Sequence, residues 1–228
     1  MKRKLLGESQ RLAYEWLMVA RSLQIVSPPV ARLLRLSFKG RLDPSARDAQ
    51  STQARDAQFE LWLAAFFAAG DRKVITLEPD LVTTYWFQWH GVAAKRVQSV
   101  AKIGRRVRQA AEQVRKHLPA GFVALAIDSY SPGFAPRLAT LRSGRRLFTK
   151  VPELDRAVEW CRGEAPWIRA IICFAAVCRV TLKPQPPNVG FYLATKVYLL
   201  PEDDRDRKRL REYFEEIFES YVRRSRGL

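Results

Sequence analysis

The sequence predicts an α/β domain, and three observations carry that reading. Val100, Ile103, Val107, Ala110 and Val114 recur at spacings of three and four, the stripe of a helix over 99–117. Just before it stand β-branched and aromatic runs bounded by turn residues: "KVITLE", "DLVTTYWF" and "VAAKRV". Just after it, "FVALAID" (122–128) is apolar with no period, as in a strand covered on both faces.

The remaining elements follow in order. Leu12, Trp16, Val19 and Leu23 form one stripe, so 8–24 reads as a helix that "SPP" ends. Residues 30–36 read as a further short helix. "GRLDPSARDAQSTQ" reads as a linker, and the doubled "ARDAQ" within and after it is too short for a repeat architecture. A helix is expected from about 53 to 69, stopped at Gly70 as a C-terminal glycine. Strands are expected over 73–78, 80–87 and 92–97, with "QWHG" as the turn between the last two. His90 would then be a solvated turn histidine. Beyond 128, "SYSPGFAPRL" and "RSGRR" read as a long loop. A helix from Pro152, a buried strand in "WIRAIICFAAVCRV", a stiff "KPQPPN" turn, a strand in "GFYLATKVYLL" and a charged helix over 202–224 complete the chain. The expected organisation is an N-terminal helical arm (1–45) and one α/β domain (46–228). Its core is helix, three strands, helix, strand over about 53–128, extended by helix, strand, strand, helix.

Composition bounds the function. The chain has 228 residues, 47% of them hydrophobic, enough for a sizeable core. Its formal net charge of +17, from 40 Lys and Arg against 23 Asp and Glu, points to a polyanionic partner, nucleic acid before an anionic membrane surface. Cys161, Cys173 and Cys178 have no zinc spacing and read as buried reduced thiols. The N-terminal stretch lacks a signal peptide's apolar segment, and no apolar run reaches the ~20 residues of a membrane span. A cytoplasmic protein is the expectation.

The chemistry centres on "LEPDLVTTYWFQWHGVAAKR" (77–96). Side chains alternate along a strand, so Ala93 and Lys95 share a face. Asp80 opens the neighbouring strand, where Pro79, lacking an N–H, suits the entrance. An aspartate and a lysine on one surface can hold a hard cation and steady a phosphate. Glu60 is the only charge between Ala57 and Gly70, and its i+3, i+4 and i+7 neighbours are Leu63, Ala64 and Phe67. A carboxylate on such a face is costly unless it is paired or binds a metal, or reaches water at the rim. Glu78 shares the strand face of Asp80. From Lys95 to Lys116 there are eight Lys and Arg against one acid, Glu112. Arg96, Lys102, Arg105, Arg106 and Arg108 are therefore candidate phosphate contacts, with Arg145 and Arg146 of the "RSGRR" loop. "YWFQW" packs four aromatics into five residues, expected mainly as core and hairpin packing, with base stacking as the alternative.

The element order, with Glu60, Pro79-Asp80 and Lys95 in place, resembles the PD-(D/E)xK nuclease superfamily, the restriction-endonuclease-like fold. The resemblance covers about 53–128. It implies that Asp80 is the metal-binding aspartate, Lys95 the catalytic lysine and Glu60 the helix glutamate that joins the metal shell. It also implies a Mg²⁺ cofactor, replaceable by Mn²⁺, and hydrolysis of phosphodiester bonds in DNA. Ala93 departs from the pattern, standing where the (D/E) of the motif belongs. Glu60, or else Glu78, is the substitute acid. Exonuclease-like members carry a glutamine on the following helix and a tyrosine four residues on. Here the residues four after Gln109 and Gln113 are Gln113 and His117, so that sub-pattern is broken. The first expectation is a metal-dependent endonuclease. The second is a nucleic-acid-binding subunit with a decayed site, for which Ala93 is the motive. The third is an adaptor or homodimer whose terminal helices dock a partner, through Tyr213, Phe214, Ile217, Phe218 and Tyr221.

Overall fold

A computed structural model of the chain describes residues 31–39, 49–127, 151–181 and 188–226, together with Ala20 and Phe148. The helix expected over 8–24, the loop holding Arg145 and Arg146, and most of the "KPQPPN" turn lie outside the described residues. The described residues form an α/β arrangement of five α-helices and one six-stranded mixed sheet. In chain order these are α1 (Ala31–Ser37), α2 (Ala49–Ala69), β1 (Val74–Ile75), β2 (Leu81–Tyr85), β3 (Gln88–Val97), α3 (Ile103–His117), β4 (Gly121–Ile127), α4 (Pro152–Glu164), β5 (Ile168–Thr181), β6 (Asn188–Leu199) and α5 (Asp204–Arg226). One turn of 3₁₀-helix, Val100–Lys102, leads into α3.

Strand order in the sheet equals chain order, β1 to β6. β1–β2, β2–β3 and β5–β6 are antiparallel, whereas β3–β4 and β4–β5 are parallel, each parallel pair bridged by a helix-containing crossover. The register places Lys95 beside Leu125, and Leu125 beside Cys173. The central strand β4 is buried almost throughout, as its unbroken apolar sequence requires.

Two apolar layers sandwich the sheet. Ile103, Val107, Ala110 and Val114 of α3 and Leu154, Ala157, Val158 and Cys161 of α4 pack with Ala93, Val123 and Leu125. On the other layer, α2 and α5 bring Trp62, Phe66, Phe67, Tyr213, Phe214 and Ile217 against Val92, Phe122 and Phe174. α2 is apolar on every side over 61–69 because α1, α5 and the sheet all cover it. Ala93, where the resemblance would place an acid, is fully buried in the α3 layer.

Four local expectations are corrected. The linker reading of 40–53 ran too far, since α2 already begins at Ala49. The expected strand over 73–78 shrinks to Val74–Ile75. α2 does not end on a left-handed glycine: Asp71 takes that conformation (φ 58°), and Gly70 instead makes room for α5. A Cβ on Gly70 would come within 2.8 Å of Ile217 Cγ1. The hairpin turn is not "QWHG" but Trp86-Phe87, because Tyr85 pairs with Gln88 and both loop residues adopt positive φ. His90 therefore lies within β3, buried, its ring stacked on Phe122 at 5.4 Å between centroids. Burial pulls its pKa down, which keeps the ring neutral.

Candidate active site

β2 and β3 run antiparallel, and Leu81 pairs with Val92. Asp80, one residue before β2, thus comes opposite the Ala93–Lys95 stretch. The Asp80 carboxylate accepts from the Ala94 backbone N–H at 2.7 Å and from Lys95 Nζ at 3.2 Å, both on Oδ2. Lys95 Nζ also donates to the Ala94 carbonyl at 3.0 Å. Its side chain is largely covered, as is that of Asp80. A pair this sheltered from water interacts more strongly than an exposed one.

Gln113 of α3 completes the arrangement. Its Oε1 accepts from Lys95 Nζ at 2.5 Å. Its Nε2 donates to Asp80 Oδ1 at 3.0 Å and to the Pro79 carbonyl. The chemistry fixes which way the amide points: an ammonium only donates, and a carboxylate or carbonyl only accepts. One neutral side chain therefore holds both members of the Asp80–Lys95 pair. The broken glutamine–tyrosine sub-pattern had hidden this residue. The available signal was its place on the face of α3 that follows Lys95. Four residues on, His117 Nε2 lies 3.9 Å from Glu78 Oε2. Glu78 faces this outer rim, with its side chain 68% exposed, and reaches Gln113 Nε2 only at 3.4 Å.

Glu60 stands on α2, in the layer opposite α3. Burial pushes its carboxyl up to about 7, and the neighbouring Asp80 and Asp56 carboxylates push in the same direction, against Lys95 and Arg32. Glu60 is thus within electrostatic reach of both Asp80 and Lys95. Asp80 is itself raised by burial, an effect opposed first by Lys95 and then by the Ala94 N–H. Asp56, one helical turn before Glu60, was not singled out from the sequence. Burial raises it too, and Arg96 and Arg106 oppose that rise. Two of the expected phosphate contacts, Arg96 and Arg106, therefore sit beside this acidic edge.

The rest of the basic set divides. Lys102, Arg105, Arg108, Arg115 and Lys116 are exposed. Arg108 lies over the Trp160 ring at 5.5 Å and Arg115 over Trp167 at 4.9 Å. These contacts orient two guanidinium groups along the outer side of α3.

The residues present fit a hard divalent ion in donor chemistry. Asp80, Glu60 and Glu78 offer only oxygen, and Mg²⁺ commonly takes one or two protein carboxylates and completes its shell with waters and phosphate oxygens. The raising of Glu60 by Asp80 and Asp56, second to burial, is a repulsion that a cation would relieve. Among the described residues no group of three or more His, Cys, Asp or Glu side chains is arranged to hold a metal by itself. An ion held by Asp80 and Glu60 alone would need waters or phosphate oxygens to complete its shell.

No helix among the described residues is long and apolar enough to cross a membrane. Comparison with family models, curated proteins and solved structures gives no match to this chain.

Proposed function

We propose that the protein is a metal-dependent endonuclease of the PD-(D/E)xK type, hydrolysing phosphodiester bonds of DNA on a restriction-endonuclease-like core. The observation that carries this reading is the largely covered Asp80–Lys95 pair, clamped by Gln113 and within electrostatic reach of Glu60. Asp80 and Glu60 are the residues that would hold Mg²⁺ or Mn²⁺, and Glu60 supplies the acid that Ala93 lacks. The ion would lower the pKa of a bound water and neutralise phosphate charge. Lys95 keeps its ammonium positioned, through Gln113 and the Ala94 carbonyl, to meet charge that develops on the phosphorus oxygens. Exposed Lys102, Arg105 and Arg108 offer a one-signed surface for backbone phosphates on the helix that carries Gln113.

A second reading, a nucleic-acid-binding subunit without catalysis, is favoured by one observation: Ala93 is fully buried, so the motif's acid position is part of the core. Incubating the protein with plasmid, single-stranded DNA and RNA, in Mg²⁺, Mn²⁺ or EDTA, separates the two. The endonuclease reading expects metal-dependent cutting abolished by EDTA. Binding without cutting in either metal leaves the second.

A further inference from the structure

We infer that the tip of the β2–β3 hairpin is a stacking platform for unpaired bases of the nucleic acid strand. The inference rests on the nucleic-acid reading above and deepens it, since it names a substrate with a single-stranded segment.

The two-residue turn at the tip is Trp86-Phe87, with φ of 49° and 62°. Turns of this kind favour Asn-Gly, because left-handed backbone is unfavourable for bulky side chains. Neither ring enters the described core. Trp86 is 59% exposed and Phe87 100% exposed, and Trp89, two residues on, is 41% exposed. By contrast, the neighbouring Tyr85 and Tyr213 are buried and pack on each other at 4.8 Å. A conformation that disfavours these residues, combined with no burial to compensate, marks the tip as shaped for a contact outside the fold.

The chemistry of the surroundings selects the occupant. Arg209 of α5 backs the Trp86 ring at 4.5 Å. Arg209, Arg72 and Lys73 help line a cleft of about 670 Å³ beside the tip, with Trp86, Phe87 and Trp89 on its wall. The three acids of the cleft are each paired, Glu216 with Arg72, Asp71 with Arg224 and Glu212 with Lys208 at 4.0 Å, while Arg209 also lies 3.8 Å from Asp206, which leaves Lys73 and the Trp86-stacked Arg209 to meet an anion. Flat exposed rings backed by a guanidinium are what sequence-tolerant binders of single strands use, because every base offers a π-face. The chain's formal charge of +17 draws a polyanion to the molecule. The tip is also continuous with the candidate active site, since both lie on one hairpin. From Gln88 to Lys95 the strand β3 covers roughly 23 Å. A strand at B-form spacing covers that length in about seven nucleotides. Residues 90–93, between the tip and Lys95, are buried, so a strand that touched both would pass around the edge of the sheet and not along β3.

The test uses the double variant Trp86→Asn with Phe87→Gly. It installs the preferred turn pair, so its melting temperature should hold or rise. Fluorescence anisotropy is measured on a 2-aminopurine single strand of about 12 nucleotides, within the usual range of strand-binding sites, and on the blunt duplex of the same sequence. Single-strand affinity should fall about tenfold or more, the loss expected from one base stack. The 2-aminopurine quenching should disappear, and duplex binding should not change. A variant that binds the single strand as tightly as wild type overturns the inference and leaves the endonuclease reading intact. So does tip-dependent binding to phosphatidylserine vesicles with unchanged oligonucleotide affinity, which would assign the tip to lipid. A wild type that binds neither strand form overturns both.

Discussion

At the scale of single residues, the account turns on how four side chains divide the charge. Asp80 keeps Lys95 as its counter-ion, and Gln113 ties the two together without adding charge. Glu60 makes no ion pair of this kind among the described residues, and burial pushes it up to about 7. A carboxyl raised on folding takes up a proton as the chain folds, so its effect on stability runs opposite to that of an ion-paired acid. Stability falls as pH rises through the window from the ordinary glutamate value to about 7, and above it Glu60 is a buried charge. Glu60→Gln should therefore raise stability at pH 8 by up to roughly 3 kcal/mol. The gain should fade below about pH 4.5, where Glu60 is protonated in both folded and unfolded chains. Urea melts of wild type and variant at pH 4.5 and 8 check this, and an equal difference at both pH values would refute the assigned environment. Adding Mg²⁺ at pH 8 should stabilise wild type but do so less for Glu60→Gln, because a ligand that binds only the folded state adds its binding free energy. Gln113→Glu should keep a partner for Lys95 but set a like charge against Asp80. The acid limb of the rate profile should move to higher pH, and activity should fall by about 10- to 100-fold, as when partners of a metal ligand are altered. An unmoved profile would make Gln113 merely structural. Asp80, Lys95 and Glu60 were legible in the sequence because each has an anomalous setting: a proline-led strand entrance, a strand lysine, and a lone acid on an apolar helix. Gln113 was met only as a position of the broken glutamine–tyrosine sub-pattern, because a glutamine carries no such anomaly until its neighbours in space are known.

At the scale of elements, β3 and α3 do most of the positioning. β3 carries Lys95 between β2, which presents Asp80, and β4, against which α3 packs Gln113 into reach. The close approach needs glycine. A Cβ on Gly121 would lie 2.1 Å from the Gly91 carbonyl oxygen and 2.8 Å from Val114 Cγ1, and backbone atoms cannot yield as a side-chain tip can. Gly121→Ala should cost about 1–3 kcal/mol or more by overpacking, read as a lowered denaturation midpoint. An unchanged midpoint would mean that β3 and β4 stand further apart. The outer face of α3 predicts electrostatic, sequence-tolerant binding. Replacing Arg105, Arg106 and Arg108 with glutamine should weaken duplex binding and lower the salt slope by up to about 0.9 per lost phosphate contact. Arg106, which donates to Gln109 Oε1 at 3.2 Å and lies within electrostatic reach of Asp56, should contribute least of the three. An unchanged slope would send the nucleic acid along another surface. The long periodic elements were readable, α3 and α5 above all, because their stripes repeat over several turns. The β2–β3 turn was misplaced because turn chemistry pointed to "QWHG", whereas the chain turns on two aromatic residues in left-handed backbone. Local rules fail at that tip, and the tip is where a contact outside the fold is inferred.

At the scale of the whole molecule, α2 and α5 close one side of the sheet with an aromatic cluster. Trp62 donates to the Tyr221 hydroxyl at 2.7 Å and meets Phe174 edge-on at 4.4 Å, and Phe66 and Phe218 lie beside them. The stripe on the last helix that had served as a candidate docking face is thus mostly core, with Tyr213, Phe214, Ile217 and Tyr221 buried. Trp62→Ala should cost about 3–5 kcal/mol, since it opens a large cavity and removes the hydrogen bond to the Tyr221 hydroxyl. The α/β class followed from periodicity. The strand order did not, because pairing is decided by contacts between segments far apart in the chain. The central claim is that Asp80 and Lys95 perform chemistry and do not merely brace β2 against β3. Its most direct measurement is a paired assay of cleavage and binding on the same DNA, with Mg²⁺, for wild type, Asp80→Asn and Lys95→Ala. The account predicts that wild type cuts, that both variants lose cleavage by orders of magnitude, and that binding persists or tightens once Asp80 is neutral. Wild type that never cuts DNA or RNA in Mg²⁺ or Mn²⁺, or an Asp80→Asn variant that cuts at the wild-type rate, would contradict it.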